Sequence, residues 1–116
     1  MKITSFKQIK EIIAPIAPEK FNTENYYKGD EKNPISCCFL GHIHMAVSGN
    51  PMGDYHGFGA RELTIQMIKE MHGLDDTSGA EVNNFPNING YTEPVIKDRL
   101  MHMIEDGIKW EASKTA

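Results

Sequence analysis

The chain has 116 residues, 40% hydrophobic and 24% charged, a size and balance that fit one domain with one core and exclude a disordered chain poor in apolar residues. Twelve basic residues against sixteen acidic ones give a net charge of −4. The lysines are scattered rather than clustered, so the phosphate-neutralising patch of a nucleic-acid binder is not evident and nucleic acid is disfavoured as a partner.

Two cysteines are present and they are adjacent, Cys37 and Cys38. A disulfide-stapled secreted domain would carry several at separated positions, and bridging neighbours strains the geometry, so both are expected as reduced thiols in a cytoplasm. The first ten residues break their apolar positions with Lys and Gln before a signal-peptide core accumulates, and no run approaches a membrane span. A soluble cytoplasmic protein is the expectation.

In chain order, Ser5 and Gln8 have the spacing of a capping box, and Phe6, Ile9, Ile12 and Ile13 share one face of a first helix that Pro15 ends. From Pro18 to Pro34 the pattern loses its period, leaving a long polar connection with Phe21, Tyr26 and Tyr27 as anchors and room for one short strand at the tyrosines. Residues 36–47, SCCFLGHIHMAV, are predicted as the central helix, with Ser36 as N-cap and Gly49-Asn50-Pro51 as the stop. Apolar side chains surround its axis at ~100° per residue, the pattern of a helix buried on all sides.

A glycine-rich loop, Gly53 to Gly59, leads to a third helix from Ala60 to His72 with Leu63, Met67, Ile68 and Met71 on one face and Gly73 as C-terminal cap. Residues 82–91, VNNFPNINGY, are dense in turn formers, and Asn89-Gly90 suits a hairpin turn. Thr92 is placed as the cap of a fourth helix from Glu93 to about Trp110, with Pro94 in its first turn. The fold class is therefore mainly α: a single compact domain, 1–116, of about four helices around a buried central helix, with two irregular loops and at most a short β-hairpin.

Chemistry has few places to reside. Cys38 and His42, four apart, would be neighbours on one helical turn, where an imidazole and a helix N-terminus favour a thiolate nucleophile. His56 is a second base candidate. Against this stands the frequency with which cysteine is a buried small hydrophobe, so catalysis is not favoured. A zinc site built from Cys38 and His42 with Asp54 or His56 has the right donors but nothing to fix the loop, and no metal or other cofactor is expected. His72 falls in the last turn of its helix, where a cation is favourable, and His102 on a solvated face, and neither reads as a ligand.

The loop aromatics Tyr55 and Phe58 are candidate contact anchors, and Asn83 and Asn84 are candidate ligand-binding amides beside the more ordinary role of satisfying turns.

Cys38-Phe39-Leu40-Gly41-His42-Ile43, the amphipathic helix after it, Val82-Asn83-Asn84 and Thr92-Glu93-Pro94-Val95-Ile96 together resemble a family of uncharacterised small bacterial and bacteriophage proteins. Its pattern is a Cys-Ala-Leu-Gly-Ala-Leu helix, a Trp-Asn-Asp motif and a Thr-capped final helix. Cys38, Leu40, Gly41, Asn83 and Thr92 match; His42 stands for Ala, Val82 for Trp and Asn84 for Asp. The resemblance implies a bacterial, phage or prophage origin and brings no activity, and the departure at His42 makes Cys38 and Gly41 look like packing residues.

The function expected is therefore non-catalytic: a small accessory protein that binds another protein. The alternatives are a small-molecule, nucleotide-like binder or sponge with its pocket between the glycine loop and the asparagine segment, and a thiol-dependent hydrolase using Cys38 with His42 or His56. The sequence leaves the oligomeric state open.

Overall fold

The computed structural model describes residues 2–53, 57–73 and 91–115. Within them the chain forms four α-helices, α1 (Phe6–Ile13), α2 (Phe39–Ser48), α3 (Ala60–His72) and α4 (Ile96–Thr115), and a hairpin of two short strands, β1 (Lys28–Gly29) and β2 (Pro34–Ser36). The mainly helical class is as expected. The Cα radius of gyration, 13.2 Å, is that of one globule of this length, for which about 13 Å is typical.

Helix α1 starts as its sequence dictates. Ser5 Oγ accepts from the Gln8 N–H at 3.3 Å, and Gln8 Oε1 accepts from the Ser5 N–H at 3.1 Å, closing the capping box. Phe6, Ile9 and Ile13 are then buried on one face, where α4 and α2 cover them. The approach to α4 is close because residue 107 is glycine: a Cβ there would run into the Phe6 ring. Trp110 meets the same ring edge-on, with centroids 6.3 Å apart.

The central helix begins later than its apolar run. Ser36 is not its N-cap; it lies in β2, with its Oγ accepting from Asn22 Nδ2 at 2.9 Å. Pairing with β1 holds Pro34–Ser36 extended, Lys28 facing Ser36 and Gly29 facing Pro34 across a bulge. Phe21 makes a parallel bridge to Cys37, so the chain turns helical only after Cys38, the N-cap. Residues 39–44 are all buried, whereas Ala46 and Ser48 are exposed. The helix is thus enclosed on every side along its first half and surfaces toward Gly49, which takes the left-handed cap conformation at φ 74°. At Gly41 the Tyr26 carbonyl occupies the space a Cβ would need.

Helix α3 has the expected bounds and its Gly73 cap, at φ 66°. The final helix departs from expectation at both ends. It begins at Ile96 rather than after an exposed Thr92 cap, with Arg99 N–H donating to the Val95 carbonyl at 3.2 Å. Pro94 disfavours helical geometry at Glu93, and the Tyr91 and Glu93 side chains are engaged by α4 itself. At the other end α4 runs on past Trp110, where Lys114 lies 4.3 Å from the Trp110 ring centroid and pairs with Glu70 of α3 at 3.3 Å. The suggested Asn89-Gly90 hairpin lies outside the described residues.

The short strand expected near the tyrosines is β1, which follows Tyr27 directly.

Candidate functional site

Cys38 is the N-cap of α2 and only 1% exposed. The helix N-terminus does act on its thiol through the backbone groups of Gly41 and Leu40, but burial outweighs them and the pKa is pushed up to about 11. Cys37, also buried, is raised for the same reason. A thiol held protonated and sealed from solvent, as Cys38 is, is a poor nucleophile.

The imidazole of His42 turns elsewhere. Its Nε2 sits 2.8 Å from the Lys20 carbonyl oxygen, which can only accept, so Nε2 carries the proton and Nδ1 the lone pair. Phe21 packs on the ring with centroids 4.5 Å apart. Burial pushes the His42 pKa below its ordinary value, with the Lys20 carbonyl pulling weakly the other way, so the ring is neutral at pH 7.

The cysteine that lines a common groove with His42 is Cys37. Both line a groove of about 230 Å³ between the hairpin, the Pro18–Lys20 turn and α2, together with Lys20, Pro34 and Met45. Helical spacing could not reveal this, because Cys37 lies before the helix and reaches the groove through its bridge to Phe21. The available signal was the His42–Met45 pair at i, i+3 on one face of α2.

His44, 1% exposed, secures the far side of the helix. Its Nδ1 donates to the Pro51 carbonyl at 2.8 Å. Tyr26 stacks on the ring at 5.5 Å and Phe58 meets it edge-on at 5.9 Å. Phe58 takes a left-handed backbone, φ 55°, within the turn Gly57–Gly59, and its ring is thereby partly buried against the helix. Of the other sequence candidates, Tyr55, His56, Asn83 and Asn84, and Asp54 with them, lie outside the described residues.

A second polar cluster leaves little trace in the sequence. Tyr91, 3% exposed, donates its phenol proton to Asp106 Oδ2 at 2.6 Å and accepts from His72 Nε2 at 3.1 Å. His102 Nδ1 lies 2.7 Å from Glu93 Oε1, and its Nε2 lies 3.8 Å from Asp106. Burial, then the hydrogen bond and charge of Asp106, push the Tyr91 pKa far up. Its proton is committed to Asp106, so the cluster acts as a clasp joining the end of α3, the approach to α4 and α4 itself. His102 and Asp106 at i, i+4 were the legible hint; nothing in the sequence pointed to Tyr91.

Large apolar side chains also stand in solvent: Ile35 is 68% exposed and Met52 53%. Among the described residues no three His, Cys, Asp or Glu side chains gather as a metal-binding group, and no helix is long and apolar enough to cross a membrane. Comparison with protein families, curated proteins and solved structures finds no match.

Proposed function

We propose that the protein acts without catalysis, by binding another protein through the hairpin that carries Ile35, and that it is an accessory factor of bacterial or phage origin. One observation carries the reading. Ile35, a β-branched residue in a strand, keeps 68% of its surface in water although the core is within reach of its neighbours Ser36 and Cys37, both buried. Covering such a side chain contributes about 1.5–3 kcal/mol, which makes it a natural anchor at an interface. The sealed thiol of Cys38 supports the same reading, since it leaves the thiol-dependent alternative without an activated nucleophile.

The test is parallel affinity capture from bacterial lysate with the wild type and Ile35→Asp, after circular dichroism shows equal helix content. The expected result is a protein retained in stoichiometric amount by the wild type and lost from the variant. Identical captures on the two resins, or none on either, would reject the proposal.

A further inference from the structure

Cys37, His42 and Met45 line the groove beside α2, and they carry a thiol, an imidazole and a thioether. Two features of the backbone and the ring bear on their use as ligands. His42 is 8% exposed and its Nε2–H is spent on the Lys20 carbonyl, while no described residue donates to Nδ1. That is the arrangement of a metal-ligating histidine, in which one ring nitrogen donates to a carbonyl so that the other presents a fixed lone pair. The same Lys20 carbonyl accepts the Cys37 N–H at 2.9 Å, so one backbone oxygen orients both residues. Gly41 completes the approach: the Cβ of Cys37 lies 3.1 Å from where a Gly41 side chain would begin, and Met45 follows Gly41 by one helical turn.

The ligand types choose the metal. Zinc requires a closed set of about four Cys, His or carboxylate donors, and among the described residues no three such side chains gather as a metal-binding group. Thiolate and thioether sulfur select copper(I), a soft ion that accepts few ligands. We propose that Cys37, His42 and Met45 form a copper(I) site in the groove between the hairpin and α2. Binding exchanges the thiol proton of Cys37, released to solvent, for a sulfur–copper bond. Nδ1 of His42 and the Met45 sulfur supply electron pairs, and the metal stays in the +1 state throughout. The site does not depend on the partner-binding reading of Ile35.

The experiment is an anaerobic titration of the full chain with copper(I) in competition with a chromogenic copper(I) chelator. The expected result is one ion held per chain, with affinity lowered by more than roughly 10–100-fold by Cys37→Ser or by Met45→Leu, because losing only an outer-shell contact around a metal already costs that much. Cys38→Ser should leave it unchanged. Copper K-edge absorption on the wild type gives a reading independent of how the variants fold, with sulfur and nitrogen both in the shell expected. A shell of nitrogen and oxygen alone, dependence on Cys38 instead of Cys37, or zinc held more tightly than copper(I) would each overturn the assignment.

Discussion

The backbone N–H of Phe6 donates to Oε1 of Glu111 across 2.7 Å, so the first turn of α1 is capped by a side chain from the last turns of α4. A helix N-terminus leaves four N–H groups without intrahelical partners, and its dipole favours a carboxylate there. The Ser5–Gln8 box satisfies the N–H groups of Ser5 and Gln8 locally, and Glu111 takes that of Phe6 from the opposite end of the chain. Glu111→Ala should lower stability by about 1–2 kcal/mol and Glu111→Gln by less, since an amide oxygen still accepts. Urea unfolding monitored by Trp110 fluorescence measures both.

Gly107 is where the same two helices touch. In an exposed helix interior, Gly→Ala stabilises by up to about 1 kcal/mol. Here the added methyl meets the ring of Phe6, itself fully buried, and overpacking of that kind costs about 1–3 kcal/mol. Gly107→Ala is therefore expected to destabilise. The pairing is checked by a double-mutant cycle: Phe6→Leu with Gly107→Ala should lose less than the sum of the two single changes.

The burial of Cys38 sets both its reactivity and a pH dependence. Native protein at pH 8 should resist iodoacetamide at Cys38 and become alkylated there in denaturant, as peptide mass spectrometry will show. The folded thiol pKa is raised to about 11 from an ordinary 9.0, so the folded state holds a proton that the unfolded chain releases. This contribution is complete below pH 9 and lost as pH rises toward 11. Relative to wild type, Cys38→Ala should show a flatter decline over that window in urea-unfolding free energies.

How far these features could be read from sequence follows from their range. The capping box at Ser5, the α3 bounds and the glycine caps at 49 and 73 depend on residues within one turn, and they appear where local chemistry puts them. The start of α2 was misplaced because Ser36 is held extended by Lys28. The start of α4 was misplaced because Glu93 reaches forward to His102. At the candidate site, the sequence paired Cys38 with His42 by helical spacing. The chain instead places Cys37 in the groove through a bridge to Phe21, a pairing that leaves no periodic trace. Tyr91 joins His72 and Asp106 over separations of 19 and 15 residues, beyond any local pattern.

That clasp can be opened at one atom. Tyr91→Phe keeps the buried ring, which meets His72 and His102 edge-on, and removes the oxygen that donates to Asp106. Loss of the bond should cost about 1–3 kcal/mol, the upper part of the range applying because the acceptor is a carboxylate. Hydrogen exchange followed by mass spectrometry should show the gain in exchange concentrated in the peptides that end α3 and begin α4, with α1 and α2 protected as before. Uniform acceleration across the chain would instead mean that the phenol contributes only to global stability.

The neutral imidazole of His42 predicts an acid-side loss of stability. Burial lowers its pKa in the folded chain below the ordinary 6.5, so below that value the unfolded chain takes up a proton that the folded chain refuses. The contribution is fully present above pH 6.5 and falls as pH drops toward the folded value, the opposite slope to that of Cys38. A hydrogen-bonded neutral replacement separates this effect from packing. His42→Gln keeps a donor for the Lys20 carbonyl and removes the titration. Its stability should lie below the wild type at pH 8, because the Phe21 contact at 4.5 Å is lost, and the gap should narrow as pH falls from 7 to 5. Parallel urea titrations at those pH values measure it, and a gap that stays constant would show that His42 is equally protonated in both states.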